Sequence, residues 1–139
     1  MISIDGARAL AEAGLLWRPA SGDAFRIERA GFEGDVFTVS DMTIEPHEFD
    51  TGTILGFNGT TEWALDSLAL EDALWLPRED QLRDLLRSTF RSLTRQDDDS
   101  YRVTVDLSGT PESFDAAEPA DAYGDALLRL ISLSAESLA

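Results

Sequence analysis

The amino-acid sequence predicts a single α+β domain, a two-layer sandwich in which a mostly antiparallel sheet carries helices on one face. Three observations point to this class. Period-two apolar stretches are grouped in the middle of the chain, and apolar residues at spacings of three and four both precede and follow them. Strands joined by short turns favour antiparallel pairing. The 139 residues, 43% of them hydrophobic, are enough for one core, so the expected domain spans residues 1–139.

The first predicted element is a short helix from Ser3 to Leu16. Ser3 is the expected N-cap, Leu10 belongs to the apolar face, and Gly14 is the expected stop. Residues 17–23 then form a turn-rich connection into the middle of the chain.

Alternating β-branched and aromatic residues predict strands in the middle of the chain. The alternation begins at Val36 and the apolar run continues to Phe49, while Pro46 indicates an edge position or a bulge. Residues 50–52, Asp-Thr-Gly, form a predicted turn into a strand over residues 53–57.

Asn58-Gly59 is the strongest hairpin signal, because both residues tolerate the positive φ of a type I′ turn. Thr60 to Leu65 then returns as a strand or begins a helical turn, and the strand is favoured.

The clearest helix signal follows Pro77. Glu79 and Asp80 lie where the positive end of a helix favours carboxylates. The predicted apolar face comprises Leu82, Leu85, Leu86, Phe90 and Leu93. Residues 97–100, Asp-Asp-Asp-Ser, end this helix in a solvated turn.

The rest of the chain is predicted to add strands and a last helix. Alternation from Tyr101 to Asp106 indicates a half-buried strand, and a short strand is expected from Ser113 to Ala117. Asp121 is the expected cap of a final helix.

Net charge and absent residue types exclude several classes of function. Eleven arginines against 27 Asp and Glu give a net charge of −16, which opposes binding to nucleic-acid phosphates or to a membrane surface. Lysine and cysteine are absent, so Schiff-base, Walker-type and cysteine chemistry are excluded. No cofactor, metal or catalytic residue is expected, and the N-terminus lacks a signal peptide, which favours the bacterial cytoplasm.

Four arginines at intervals of four are the most distinctive feature, because this spacing places them along one side of the predicted helix. The favoured interpretation is internal pairing with acids on adjacent strands. The alternative is a directional site for a partner's carboxylates or phosphates, with nearby tryptophans in an exposed contact patch. The candidate partner-binding residues are Arg83, Arg87, Arg91, Arg95, Trp63 and Trp75.

Three other groups of residues contain side chains that occur in catalytic or metal sites. Asp50, in Asp-Thr-Gly, resembles the loop of an aspartic protease, although an ordinary hairpin turn is favoured. His47 lies beside Glu45 and Glu48, but the chain has one histidine and no cysteine, which is a poor ligand set for zinc. An exposed His47 side chain is therefore favoured over a zinc ligand. The aspartates of residues 97–99 lack the spacing of a calcium loop.

Two segments stand out, Phe57–Ser67 (FNGTTEWALDS) and Leu74–Leu82 (LWLPREDQL). They resemble a family of short bacterial proteins, some of which carry a pilus-assembly label shared with a MinD-like ATPase. The likeness extends from about Trp17 to the C-terminal helix. The resemblance implies one folded domain and supplies no catalytic residues. Because the chain has no Gly-x-x-x-x-Gly-Lys loop, it cannot form the phosphate site of that ATPase.

The leading functional hypothesis is a non-enzymatic protein–protein interaction module with a protein partner, and a homodimer is possible. One alternative is an acidic mimic of DNA that inhibits a nucleic-acid enzyme. The other is a small carboxylate-dependent hydrolase that uses Asp50.

Overall fold

The computed structural model describes most of the chain and organises it as two compact units. One unit comprises Met1–Leu16 with Pro77–Ala139, and the other comprises Trp17–Leu76. The predicted single domain therefore stays a prediction. The described residues are 1–29, 31–32, 34–39, 44–49, 52–57 and 67–137, of which 44–49, 52–57, 67–70 and 136–137 are described for the backbone alone.

The predicted α+β class is confirmed, with helices packed on an antiparallel sheet. Within the described ranges the strands form three antiparallel sheets of three strands each. In chain order the elements are α1 (Ile4–Glu12), β1 (Ala24–Ile27), β2 (Val36–Thr38), β3 (Ile44–Phe49), β4 (Gly52–Phe57), β5 (Ser67–Ala69), β6 (Ala73–Leu76), α2 (Glu79–Leu86), β7 (Phe90–Arg95), β8 (Tyr101–Leu107), β9 (Thr110–Ala116) and α3 (Pro119–Ser137).

Helix α1 begins where the sequence predicts. The Ser3 hydroxyl accepts a hydrogen bond from the Gly6 backbone N–H at 3.0 Å, which satisfies one of the free donors at the helix start. The helix ends at Glu12, before the predicted Leu16, and Gly14 takes a φ of +109° that a side chain would disfavour. The predicted cap and stop are thus confirmed, and the helix is shorter than expected.

Helix α2 also begins as predicted, but the prediction of one helix through Leu93 is wrong. The Arg78 backbone N–H donates to Gln81 Oε1 at 3.0 Å, and the helix ends at Leu86. A 3-10 turn at Arg87–Thr89 then leads into β7.

The error has a physical cause in the spacing of Phe90 and Leu93. Three residues apart, they share a helix face, and in a regular strand they would face opposite sides. A β-bulge between Phe90 and Ser92 adds one residue to β7, so that Phe90 pairs with Val105 and Leu93 with Val103 on the same face. A bulged strand therefore gives Phe90 and Leu93 the shared face of the predicted helix, with Phe90 half-buried and Leu93 exposed.

The first unit buries one face of the sheet β7-β8-β9 under α3. The predicted strand over β8 is confirmed, and β9 begins at Thr110, earlier than the predicted Ser113. Helix α3 packs across β8 and β9 and also contacts α1 and α2. The core consists of small and branched side chains around a buried tyrosine, including Leu10, Leu82, Leu86, Val103, Val105, Ala122, Tyr123, Ala126 and Leu127.

The first turn of α3 contains Asp121, which was predicted as the cap. The helix begins two residues earlier, at Pro119, whose fixed φ suits a first helical position. Asp121 Oδ1 instead accepts a hydrogen bond from the Ser3 backbone N–H at 2.7 Å. The carboxylate thus joins the start of α1 to the start of α3.

The second unit contains the sheet β2-β1-β6, in which β1 pairs antiparallel with both neighbours. Its core cluster comprises Trp17, Phe25, Ile27 and Val39, with ring centroids of Trp17 and Phe25 5.3 Å apart. Buried Asp23 accepts hydrogen bonds at 3.0 Å from the Trp17 indole N–H and from the Ala20 backbone N–H. This carboxylate fixes the connection that leads from Trp17 into β1.

The sheet β3-β4-β5 belongs to the same unit and is described for its backbone. Among the described strands β3 lies at the edge of this sheet, one of the two alternatives that Pro46 indicates, and Phe49 pairs with Gly52 where β3 meets β4. Strand β5 pairs antiparallel with β4. The predicted Asn58-Gly59 turn and the strand predicted for residues 60–65 lie outside the described residues.

Replacement of Asp23 by alanine tests the buried carboxylate. Asp23→Ala leaves two buried donors without their acceptor, so we expect the free energy of unfolding to fall by about 1–3 kcal/mol. Denaturant titration followed by tryptophan fluorescence measures the change. The matched control is Asp35→Ala, an exposed carboxylate in the same unit, with an expected change below about 0.5 kcal/mol. Equal effects of the two variants would contradict this role of Asp23.

The raised pKa of Asp125 on α3 makes the stability of the fold depend on pH, with a gain in acid. Desolvation raises the pKa of Asp125 above the ordinary 3.8, and the Asp121 carboxylate one turn earlier raises it further. The folded state therefore favours the protonated acid. Its stabilising contribution is complete below pH 3.8 and is lost as the pH rises through the higher folded pKa.

We expect Asp125→Asn to increase the unfolding free energy at pH 7 by about 0.2–0.5 kcal/mol, because it removes one like-charge pair on the helix. The gain should disappear in acid, where Asp125 is protonated. Urea titrations at several pH values measure it, with the exposed turn variant Asp97→Asn as control. A gain that persists unchanged in acid would exclude this explanation.

Candidate functional site

The four arginines predicted as a helical stripe do not share a helix face. Arg83 lies on α2, Arg87 begins the 3-10 turn, and Arg91 and Arg95 lie on β7. A spacing of four is even, so it is compatible with one face of a strand as well as of a helix. The bulge in β7 falls at Arg91 and removes this alignment too. The predicted stripe is therefore wrong as a geometric arrangement.

Arg83 is engaged with the buried core of the first unit. The Tyr123 side chain beside its guanidinium raises the pKa of Arg83, and the Asp84 and Asp80 carboxylates add smaller effects in the same direction. Tyr123 is 1% exposed, and its ring lies 5.7 Å from that of Phe90. The exposed arginine thus lies beside the polar end of a buried tyrosine.

Arg91 and Arg95 are engaged as well. The Arg91 guanidinium donates to the backbone carbonyls of Ser88 and Phe90 and lies 3.7 Å from Asp106 on the neighbouring strand. Arg95 pairs with Asp99 at 2.7 Å. The favoured interpretation of pairing with acids on adjacent strands describes Arg91, whereas Arg95 pairs with an acid of the turn that follows its own strand.

Ion pairs also engage Arg78, Arg102 and Arg129. Arg102 makes a two-point contact with Asp115 at 2.7 and 2.9 Å, and this contact lowers the pKa of Asp115 and raises that of Arg102. The remaining pairs are Arg78 with Asp80 at 3.1 Å and Arg129 with Glu112 at 3.2 Å. Such exposed pairs contribute little stability each, but they occupy the guanidinium groups.

Arg87 differs from these arginines. Its side chain is exposed and makes no ion pair or hydrogen bond among the residues that the structure describes. Its backbone has φ 53° and ψ −132°, a conformation that glycine adopts readily and L residues rarely adopt. The position therefore combines an unengaged cation with backbone strain.

Four contacts hold the turn that presents Arg87. The Arg87 backbone N–H donates to the Asp84 carbonyl, and the Phe90 backbone N–H donates to the Arg87 carbonyl. The Thr89 hydroxyl donates to the Leu86 carbonyl at 2.6 Å, and Arg91 bridges the carbonyls of Ser88 and Phe90. The arginine turn, residues 87–90, is fixed by these contacts, so the Arg87 side chain projects from a constrained backbone.

Of the two tryptophans predicted as partner contacts, the structure describes Trp75 alone. Trp75 lies on β6 opposite Phe25, is half-buried, and packs against the core cluster of the second unit. Its indole nitrogen is buried and has no hydrogen-bond partner within the described part of the chain. Trp63 lies outside the described residues, and neither residue is tested as a contact.

The acidic residues and the histidine of the other three groups differ in how far the structure describes them. Asp50 lies outside the described residues, and His47 is described for its backbone in β3 alone. Asp98 Oδ1 accepts hydrogen bonds from the Ser100 backbone N–H and hydroxyl, which lower the pKa of Asp98, while Asp99 pairs with Arg95. The solvated turn predicted for the three aspartates is thus confirmed, and it joins β7 to β8.

Two further findings concern metals and membranes. Over the residues that the structure describes, no group of three or more histidine, aspartate and glutamate side chains is arranged to hold a metal ion. Within the same ranges no helix has the length and apolarity needed to cross a bilayer.

Comparison with protein-family models, with curated proteins and with solved structures finds no match to this chain. The resemblance to short bacterial proteins therefore stays a prediction. The geometry of the arginine turn is left as the basis for functional inference.

Glycine at position 87 tests the backbone strain. Arg87→Gly relieves strain of order 1–3 kcal/mol, while the greater freedom of glycine in the unfolded chain removes roughly 0.5–1 kcal/mol of that gain. We expect a net increase of about 1 kcal/mol in the unfolding free energy, measured by urea titration.

The matched control is Ser88→Gly, an exposed neighbour whose φ is not positive, where glycine should be destabilising. If Arg87→Gly destabilises the protein as much as Ser88→Gly does, the strain at position 87 is absent.

Proposed function

We propose that this protein is a non-enzymatic protein–protein interaction module that contacts its partner through the arginine turn. The observation that carries the proposal is the state of Arg87, which is exposed, constrained by its backbone and unpaired among the described residues. Guanidinium groups bind planar anionic groups in a directional manner, and arginine is enriched where partners meet.

The engagement of the neighbouring arginines supports the same proposal. Arg83 lies beside Tyr123, Arg91 donates to the backbone carbonyls of Ser88 and Phe90, and Arg95 pairs with Asp99. Of these three arginines, Arg91 holds the turn that carries Arg87. The proposal thus narrows the predicted set of four arginines to Arg87 as the contacting residue.

A pull-down with a charge-reversal variant tests the proposal. The tagged protein is recovered from the cells that naturally produce it, at low and at moderate salt, and co-purifying proteins are identified by mass spectrometry. We expect a near-stoichiometric partner with the unmodified protein and loss of that partner with Arg87→Glu, which keeps a side chain on the same strained backbone.

The control is Arg18→Glu, which makes the same change in net charge at another exposed arginine. Retention of the partner by Arg87→Glu would refute the role of the turn. Recovery of a nucleic-acid enzyme at low salt alone would favour the acidic mimic of DNA. No partner under either condition would overturn the interaction proposal and direct attention to a hydrolase screen with Asp50→Asn.

A further inference from the structure

Stability of the fold does not account for arginine at position 87. The conformation there suits glycine, and an arginine adds strain without forming an ion pair or hydrogen bond to any residue that the structure describes. Strained positions that persist in a fold often serve binding. The side chain at this position therefore points to an interaction outside the chain.

The local charge indicates the chemistry of that interaction. From Arg78 to Arg95 the chain carries five arginines and three acids, a difference of +2, within a chain of net charge −16. Because the other arginines of this segment are engaged, Arg87 offers the unoccupied guanidinium donors. A guanidinium presents paired N–H donors that match the two oxygens of a carboxylate.

Resting on the proposed function, we infer that Arg87 is the anchor for a glutamate or aspartate carboxylate in an acidic segment of the partner protein. A carboxylate is favoured over nucleic-acid phosphates, because the chain's negative charge opposes a polymer with one charge per nucleotide. A short acidic segment carries few charges, so the chain repels it less than it repels a nucleic acid. Physiological salt also screens charges beyond about 8 Å.

A partner could instead bind by adding a strand to an edge of the neighbouring sheet, but the structure favours this mode less. Strands β7 and β9 are the edges of their sheet, but β7 carries the bulge at Arg91 and β9 contains Pro111, which has no backbone donor. Both features interrupt a continuous row of backbone hydrogen bonds. A side-chain contact at Arg87 avoids these interruptions.

The test uses a synthetic peptide as the probe for the acidic segment. It contains two adjacent glutamates in a Gly-Ser background with both ends blocked, and its control replaces both glutamates by glutamine. The full-length protein, labelled with ¹⁵N, is titrated at about 150 mM salt, and the arginine Nε–H signals are followed by NMR. The Arg87 signal is assigned by its absence in Arg87→Lys.

We expect a saturable shift of the Arg87 Nε–H signal with the glutamate peptide and none with the glutamine peptide. Affinity, followed through backbone amide shifts of residues 86–90, should fall about tenfold or more in Arg87→Gly and remain within about twofold in Arg18→Gly, which removes the same charge. Arg87→Lys should bind more weakly than the unmodified protein, because lysine keeps the charge but lacks the two-point contact.

Three outcomes would overturn the inference. They are the same shifts with the glutamine peptide, equal losses in Arg18→Gly and Arg87→Gly, and tighter binding of a short oligothymidylate at Arg87. Failure of this inference is distinguishable from failure of the proposed function. A partner lost with Arg87→Glu in the pull-down, with no response to the glutamate peptide, would keep the module and exclude an acidic partner segment.

Discussion

The first unit depends on the packing of α3 against β8 and β9. Sixty residues of the second unit, Trp17–Leu76, separate α1 from the rest of the first unit along the chain, so contacts with α3 are what bring α1 into it. Small residues at positions such as Ala122 and Ala126 let α3 approach the sheet and its neighbouring helices closely. The buried Tyr123 then extends this packing to α2 through Arg83 and to β7 through Phe90.

Much of this fold was predictable, and the errors arose where two structures satisfy one pattern. The cap at Ser3, the start of α2 and the strand β8 follow from local chemistry that has a single good solution. The segment after Leu86 is compatible with two structures, a helix and a bulged strand, because the bulge in β7 gives Phe90 and Leu93 the shared face that a helix would give them. β-Branched Thr89 beside Phe90 was the available signal for a strand.

The candidate site was predictable as a region but not as a geometry. Arginine spacing identified the segment that contains Arg87, and internal pairing was the favoured interpretation for its neighbours. The sequence could not single out Arg87, because a positive φ is normally signalled by glycine and here the residue is arginine. Pairing of Arg91 with Asp106 likewise depends on strand register, which only the folded chain establishes.

The charge distribution determines how a contact at Arg87 would act. The second unit has three arginines against twelve acids, and the first unit has eight against fifteen, so negative charge dominates both. An acidic partner would therefore gain no long-range attraction, and Arg87 would act only when a carboxylate comes within roughly one Debye length. Under this constraint discrimination would come from contact at a defined position rather than from steering. The strained, hydrogen-bonded turn supplies that position, because the contacts from Thr89 and Arg91 limit the motion of the backbone that carries Arg87.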